Sequence, residues 1–325
     1  MKLLRRQFLH LAAGAAALPA VSRIAWAQTY PARQVAIIVG FPAGGGIDTG
    51  ARLMAQWLSE RLGQPFNVEN RPGAGTNIAT EAVVRAPTDG YTLLLASAAN
   101  AISATLFQNL NFNFIHDIAP IAGIARAPLV MVVSPSSPAK TVAEFIAYAK
   151  ENPSKTIIGS TFVGAPPFMA AALFKVMTSI DVPQMPYPSD AAAIADLLGG
   201  KVQAHFAGSG AVTEDIKSGK LRALAVTTAT RTEFLPDTPT MADSVPGYDA
   251  STWVGLAAPH NTPTEIVEKL NREINIGVAD AKVKSRLAGL SYVPMPMTAA
   301  EFGKFVADET EKWSKVVRAA NIKPG

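Results

Sequence analysis

Residues 35–58 read Val-Ala-Ile-Ile-Val-Gly-Phe-Pro-Ala-Gly-Gly-Gly-Ile-Asp-Thr-Gly-Ala-Arg-Leu-Met-Ala-Gln-Trp-Leu and contain the clearest structural pattern of the chain. Its first part, Val35–Val39, is apolar and mostly β-branched and is ended by Gly40 and Pro42, as is typical of a fully buried parallel strand. Four large apolar residues then recur with a helical period: Leu53, Met54, Trp57 and Leu58. The stretch therefore predicts a buried strand, a glycine-rich turn and an amphipathic helix.

Outside this stretch, strand-like and helix-like segments alternate along the chain, which is typical of an α/β fold. The other predicted strands are Thr92–Ala96, Leu129–Ser134, Thr156–Gly159, Val202–Phe206 and Leu221–Thr227. The character of the sequence changes near Pro128 and again near Pro246, and the segment between these points has the length of a domain. We therefore predict two lobes, residues 28–127 with 251–325 and residues 128–250, joined by two crossing segments around a ligand cleft.

The first 27 residues have the features of an export signal. Arg5 and Arg6 precede an apolar stretch, Leu9–Val21, and Ala25-Trp26-Ala27 has the small-x-small pattern of a cleavage site. The apolar stretch is short for a membrane span, and no cysteine follows it for lipid attachment. We therefore predict a twin-arginine-type signal peptide at residues 1–27, cleavage near Ala27 and a periplasmic mature chain.

Removal of this leader changes the charge balance. The whole chain has 29 Lys and Arg against 25 Asp and Glu, and the leader holds four of the bases and none of the acids. The mature chain is therefore predicted to be neutral, so electrostatics gives no reason to expect nucleic acid or an acidic membrane surface as a partner. The chain has no cysteine, which excludes disulfides, thiolate metal sites and a cysteine nucleophile.

The glycine-rich turn has the features of an anion site. Its members are Phe41, Pro42, Ala43, Gly44, Gly45 and Gly46. The backbone N–H groups of Ala43–Gly46 can lie close to a ligand at the start of a helix. The turn lacks the G-x-G-x-x-G spacing of a dinucleotide site, and no Gly-Lys-Ser/Thr follows as in a P-loop, which leaves a tight turn without a ligand as the alternative. Asp48 is predicted to be the N-cap of the helix or else to face a donor on the ligand.

Further loops of small residues follow the predicted strands, and the carboxyl ends of parallel strands gather on one edge of a sheet. Ser97 and Asn100 follow one strand and can form hydrogen bonds with a ligand there, and a second glycine-rich turn, Arg71–Asn77, precedes a predicted helix. In the loops of the predicted second lobe, the candidate binding residues are Thr161, Phe162, Gly164, Phe168, Ala207, Gly208 and Ser209. Phe162 and Phe168 either form an apolar wall of the cleft or belong to the core.

The sequence gives little support for catalysis or metal binding. Ser160 lies in Gly-Ser-Thr, without the G-x-S-x-G elbow of a hydrolase. His116, His205 and His260 are scattered and lack the spacing of metal ligands. We therefore predict no enzyme, no cofactor and no metal site, with a secreted hydrolase as the least favoured alternative.

Eight ordered motifs span essentially the whole predicted mature chain. They are Phe41–Asp48, Glu69–Gly75, Asp89–Leu94, Pro186–Tyr187, Asp196–Gly200, Arg231, Leu235–Thr240 and Trp253–Pro259. Together they resemble the markers of the tripartite tricarboxylate transporter solute receptors, also called Bug receptors. The resemblance implies a periplasmic binding protein fold and a non-enzymatic receptor that closes on a small carboxylate and passes it to a membrane permease. It also implies that backbone groups of Phe41–Gly46 and bridging waters hold one carboxylate, with further contacts from loops around Ser97, Thr161–Gly164 and Ala207–Ser209.

The chain departs from the family pattern at four positions. Phe162 stands at a usual glycine, Phe168 at a usual histidine, and Ala172 and Ala207 at usual acids. These replacements predict a pocket that is less polar than usual on the side of the second lobe. An aromatic mono- or dicarboxylate packed on Phe162 and Phe168 therefore fits better than citrate or an amino acid. A monomer is expected, and the main rival function is a sensory receptor of the same fold that serves a membrane signalling partner.

Overall fold

The computed structural model describes residues 30–324, so the predicted signal peptide lies outside the described residues. Within this range the chain forms ten β-strands and ten α-helices. The strands are β1 (Val35–Val39), β2 (Phe66–Asn70), β3 (Thr92–Ser97), β4 (Ile118–Val133), β5 (Ile158–Thr161), β6 (Gln184–Tyr187), β7 (Ala204–Gly208), β8 (Arg222–Val226), β9 (Ser251–Pro259) and β10 (Val293–Pro294). The helices are α1 (Gly46–Leu62), α2 (Asn77–Val84), α3 (Ala98–Leu106), α4 (Val142–Glu151), α5 (Pro166–Thr178), α6 (Asp190–Leu198), α7 (Ser209–Lys217), α8 (Thr264–Ala279), α9 (Ala281–Gly289) and α10 (Ala299–Ala319).

The strands of residues 30–324 form one mixed sheet. Its order is β2-β1-β3-β9-β4-β7-β5-β6, and β8 and β10 also pair with β4. Strand β1 lies between β2 and β3 and is parallel to both, which confirms the buried parallel strand predicted from the sequence. Strand β9 is antiparallel to β3 and β4, and β7 is antiparallel to β4. At the far side, β5 is parallel to β6 and β7.

The 16-residue strand β4 joins two parts of this sheet. Residues 118–128 pair with β9, whereas residues 129–133 pair with β7 and β8. We call β1–β3, β9, β10 and the first part of β4 the first half, and β5–β8 with the last part of β4 the second half. The chain returns to the first half at Ala250, where the Thr227 hydroxyl donates to the Ala250 carbonyl at 2.7 Å. The Leu129 N–H donates to the same hydroxyl at 2.9 Å. Thr227 is therefore hydrogen-bonded to both segments that connect the two halves, at Leu129 and at Ala250.

Helices cover both faces of the first half. Along β1, Ile37 packs with Met54 and Leu58 of α1 on one face. Ile38 packs on the opposite face, in the core that also contains Trp313 of α10. Met54 is 1% exposed and Leu58 is fully buried, which confirms the apolar helix face predicted from the sequence.

The strand predictions differ from the structure at several places. Leu129–Ser134 is the last part of the much longer β4, and the other predicted strands are present with ends shifted by one or two residues. Strands β2, β6, β9 and β10 were not predicted. No helix in the range 30–324 combines the length and apolar character needed to cross a membrane.

Candidate ligand-binding site

A cleft of about 820 Å³ lies where the two halves of the sheet meet. The first half contributes residues 40–42 after β1, the turn 72–76, and the α3 side chains Ala99, Ser103 and Leu106 with Phe107. The second half contributes residues 162–166 after β5 and residues 186–188 after β6, and Pro324 also lines the cleft. The strand ends thus bring the loops of both halves together, as the parallel arrangement predicts.

The wall of the cleft is aromatic and uncharged. Its aromatic residues are Phe41, Phe107, Phe162 and Tyr187, and six prolines accompany them. None of the lining residues in the described range carries a charged side chain. Phe162 is 60% exposed and forms a contiguous apolar surface with the other rings of the lining, and exposed apolar patches of this kind mark ligand-binding grooves. The cleft therefore suits a ligand with an apolar body whose polar groups are met by hydrogen-bond donors.

The Tyr187 hydroxyl is already engaged in a network. It donates to Asp196 Oδ2 at 2.8 Å, and Lys201 Nζ pairs with the same carboxylate oxygen at 2.8 Å. Burial of the ring, and next the hydrogen bond to Asp196, raise the pKa of Tyr187 to about 12. Tyr187 is therefore a neutral phenol at physiological pH, and it lines the cleft as an uncharged aromatic residue.

The glycine-rich turn after β1 lies only partly beside the cleft. Phe41 and Pro42 line it, whereas Ala43, Gly44, Gly45 and Gly46 are exposed and lie outside its lining. The N-cap of α1 is Gly45, so Asp48 is the third residue of the helix and not the predicted cap. The Gly44 N–H donates to Asp48 Oδ2 at 2.9 Å. This N–H is therefore engaged by the chain's own carboxylate.

Asp48 is a buried anchor of the turn. Besides Gly44, its carboxylate accepts hydrogen bonds from Arg52 Nε at 2.9 Å and Asn70 Nδ2 at 2.8 Å. Burial acts against the charged form, but the hydrogen bonds from Arg52, Gly44 and Asn70 outweigh it and hold the pKa of Asp48 below its usual value. The carboxylate is therefore charged whenever the fold is intact at neutral pH.

We expect Asp48→Asn to destabilise the protein in a pH-dependent way. A depressed pKa stabilises the folded state above the unfolded value of about 3.9, and this contribution is lost as the pH falls through the folded pKa. The free energy of unfolding should fall by about 1–3 kcal/mol at pH 7, typical for buried hydrogen bonds to a charged group. Urea unfolding at pH 7 and at pH 3 measures the difference between wild type and variant, which should shrink at pH 3. An equal difference at both pH values would contradict this role of the carboxylate.

Ser97 and Asn100 are buried and bonded to each other. Asn100 Oδ1 accepts from the Ser97 N–H at 2.9 Å and from the Ser97 hydroxyl at 2.6 Å, which caps α3. Asn100 Nδ2 donates to Thr80 Oγ1 at 2.8 Å. Neither residue lines the cleft, but the helix they start presents Ala99 and Ser103 to it.

The candidates of the second half divide into three groups. Phe162 and Gly164 line the cleft beside Phe41 and Pro42. Phe168 is 9% exposed and packs in the core, as does Ala207, so neither lines the cleft. Thr161 and Ser209 are buried with hydroxyls that have no partner within residues 30–324, and the half-buried Gly208 precedes Ser209. Phe162 and Phe168 were predicted to form the apolar wall of the cleft; in the structure Phe162 and Tyr187 line it instead.

The turn Gly73–Thr76 is one of several parts of the site, together with Ser103, Phe107 and Tyr187, that sequence reasoning did not assign to binding. Four successive φ angles are positive: Gly73 129°, Ala74 46°, Gly75 61° and Thr76 79°. Glycine adopts this left-handed conformation freely, whereas other residues lose about 1–2 kcal/mol each, and β-branched residues are rare there. Ala74 and Thr76 are therefore strained, and both line the cleft. The only signal in the sequence was the density of glycines around them.

A second cavity of about 580 Å³ has a different character. Its lining includes Arg126, Arg231, Lys284 and Glu233. Arg126 is already paired with Asp249 at 3.1 Å. This cavity contains none of the residues predicted to bind the ligand, so it provides a control for the cleft.

Ser160 has no catalytic partner among residues 30–324. It is buried, and its hydroxyl accepts a hydrogen bond from Gln184 Nε2 at 3.0 Å. No histidine or acid is among its hydrogen-bond partners in the described part of the chain. His205 instead pairs with Asp190 at 2.9 Å. A nucleophile needs an adjacent base, so this geometry does not support a hydrolase.

A family model described as "Tripartite tricarboxylate transporter family receptor" (TctC) matches residues 50–322. The chain belongs to this family. Its members are solute-binding receptors of the periplasm and not enzymes. The resemblance and the α/β periplasmic binding protein fold expected from the sequence are thereby confirmed.

Three relatives of this TctC-family receptor are informative. Protein BugT of Bordetella pertussis is 36% identical over 300 residues, which cover 91% of this chain and 92% of BugT. The structure of R. palustris Rpa4515 with adipate is 33% identical, with a TM-score of 0.77 over 91% of this chain and 100% of that one. MatC from Rhodopseudomonas palustris, with bound malate, is 27% identical, with a TM-score of 0.73 over 89% and 100% of the two chains.

Proposed function

We propose that this receptor binds a small carboxylate with an aromatic body in the cleft and delivers it to the membrane permease of a tripartite tricarboxylate-type transporter. The observation that carries the proposal is the lining of the cleft, with four aromatic rings and no charged side chain. Such a wall stabilises an apolar body through burial and ring stacking. It leaves the acid group to hydrogen-bond donors of the chain and to bridging waters.

The carboxylate part of the proposal is supported by two relatives. Rpa4515 was solved with adipate and MatC with malate, both of them dicarboxylates. A charged carboxylate in an uncharged cleft requires several hydrogen bonds. The Thr161 and Ser209 hydroxyls are buried and unpaired within residues 30–324 but are not among the residues that line the cleft, so we propose that other donors of the chain and bridging waters meet the acid group.

The aromatic part of the proposal rests on Phe162 and Tyr187. Phe162 is exposed at the cleft, and Tyr187 is fixed by its bond to Asp196. A ligand ring stacked on such side chains gains about 0.5–1.5 kcal/mol beyond its burial. Citrate and glutamate have no ring, so we propose that they bind more weakly than benzene mono- and dicarboxylates.

A ligand screen tests this proposal. Purified receptor is mixed with benzoate, terephthalate, adipate, citrate or glutamate, and the melting temperature is measured. We expect terephthalate or benzoate to raise the melting temperature more than citrate and glutamate do, because ligand binding to the folded state stabilises it. Stabilisation by citrate or glutamate alone would overturn the aromatic part, and no stabilisation by any acid would overturn the carboxylate part.

Phe162→Ala tests the position of the ligand. Loss of the ring should weaken binding of the best aromatic acid by about 5- to 20-fold, measured by calorimetry. Arg231→Gln is the matched control, because Arg231 lines the second cavity. The control should bind like wild type. If Arg231→Gln instead loses the ligand while Phe162→Ala keeps it, the second cavity is the binding site.

We also propose that residues 1–27 are a twin-arginine-type signal peptide and that the mature chain acts in the periplasm as a monomer. Arg5 and Arg6, the apolar stretch and the Ala25-Trp26-Ala27 pattern support the signal. Amino-terminal sequencing of the periplasmic protein should find a start near Gln28. A start at Met1 in the mature protein would contradict it.

A further inference from the structure

The cleft has one side-chain hydroxyl that the chain leaves unused. Three lining residues have hydroxyls: Thr76, Ser103 and Tyr187. Ser103 donates to the Gly75 carbonyl at 2.5 Å, and Tyr187 donates to Asp196. The Thr76 hydroxyl is buried and has no hydrogen-bond partner within residues 30–324. An unpaired buried hydroxyl is destabilising, so native proteins rarely keep one without a role.

The backbone of Thr76 adds a second, independent observation. Thr76 has a φ of 79°, in the left-handed region where a β-branched side chain is strained. Glycine at this position would remove both the strain and the unpaired hydroxyl. Strained residues of this kind cluster at ligand sites, where the surrounding structure holds them in place.

The packing around Thr76 fixes where its side chain lies. Thr76 is 4% exposed and packs closely against Gly40, the residue that follows β1. A Cβ atom added to Gly40 would lie only 2.7 Å from Thr76 Cβ. Gly40 itself lines the cleft and leads into the turn Phe41–Gly46. Thr76 thus lies where the two glycine-rich turns meet. The adjacent Asn77 Nδ2 is also buried and unpaired within the described chain.

We propose that Thr76 is a ligand-binding residue whose hydroxyl donates a hydrogen bond to a carboxylate oxygen of the solute. This inference rests on the proposed function, since it assigns the acid group of the ligand to the first half of the cleft. The apolar body then lies toward Phe162 and Tyr187. The strained threonine is retained for binding and not for stability.

Three variants of Thr76 separate binding from stability. Thr76→Val removes the hydroxyl and keeps the shape, so the affinity for terephthalate and adipate should fall by about 10-fold, the loss of one hydrogen bond to a charged group. Thr76→Ser keeps the hydroxyl and should bind within about 3-fold of wild type. Thr76→Gly relieves the strain, so it should melt about 1–3 °C above wild type without ligand and yet bind about 10-fold more weakly.

Calorimetry with terephthalate and adipate, and melting curves without ligand, distinguish the outcomes. Wild-type affinity in Thr76→Val would overturn the role of the hydroxyl while the proposed function stands. A melting temperature of Thr76→Gly at or below that of wild type would overturn the claim that Thr76 is retained at the expense of stability. If wild-type receptor binds none of the five acids of the ligand screen, the proposed carboxylate function fails, and the assignment of Thr76 to a carboxylate fails with it.

Discussion

Glu309→Ala is expected to lower the free energy of unfolding by about 3–5 kcal/mol, the range found when one partner of a buried polar cluster is removed. Glu309 Oε2 accepts hydrogen bonds from the indole N–H groups of Trp253 and Trp313, each at 3.1 Å. Lys312 Nζ pairs with the other oxygen and also donates to the Asp249 carbonyl at 3.1 Å. The substitution leaves two fully buried indole donors without an acceptor.

Two control variants make this prediction specific. Glu309→Gln keeps one acceptor oxygen for the indoles and should lose clearly less stability than the alanine variant. Glu311, on the same helix, is exposed and forms a surface ion pair with Lys315, so Glu311→Ala should change little. Urea unfolding followed by tryptophan fluorescence measures all three. Equal stability of Glu309→Ala and Glu311→Ala would show that the cluster does not hold α10 against β9.

Gly40→Ala is expected to disrupt both folding and ligand binding. The new methyl group would lie 2.7 Å from Thr76 Cβ and 3.0 Å from Thr76 Cα, closer than real Cβ contacts. The turn Gly73–Thr76 must then move, which should cost about 1–3 kcal/mol of stability, as overpacking does. Because this turn lines the cleft, ligand affinity should fall by at least about 10-fold.

A double-mutant cycle tests the cause of this effect. In a Thr76→Gly background the closest atom is gone, so Gly40→Ala should lose at least about 1 kcal/mol less stability there than in wild type. Gly50→Ala is the matched control, since Gly50 lies in α1 with open space where the methyl group would be. That variant should be as stable as wild type or more stable, because alanine favours a helix. An equal loss from Gly40→Ala in both backgrounds would mean that Thr76 is not the residue it meets.

Local patterns predicted several of the strands whose two faces are both buried, such as β1, but missed the central strand β9. Val35–Val39 reads as a continuous apolar run because helices cover both sides of β1. The edge strand β2 alternates between polar and apolar residues, and β6 is a short strand with a proline, so neither produces such a run. The first part of β4 contains two prolines, a glycine and an arginine, which interrupt the apolar run typical of a buried strand. The sequence therefore predicted only the last part of this 16-residue strand.

The site was less predictable than the fold, because side-chain direction depends on tertiary packing. Phe162 and Phe168 are in the same loop region, yet the helix that starts at Pro166 turns Phe168 into the core. Phe162 precedes that helix and stays exposed. Asp48 resembles an N-cap in sequence, but the helix starts at Gly46 and the carboxylate reaches back to Gly44. Thr76 was not predicted as a site residue because threonine rarely adopts the left-handed backbone conformation that this position has.

The place of β9 in the sheet has a consequence for folding. It lies between β3 and β4, although more than a hundred residues separate it from either strand along the chain. During synthesis, β3 and β4 are complete long before the strand that joins them, and each keeps an unpaired edge until then. Such edges pair readily with other chains, and contacts this distant in sequence form slowly. The nascent receptor is therefore most prone to aggregation before residue 251 emerges, and any factor that shields these edges raises its yield.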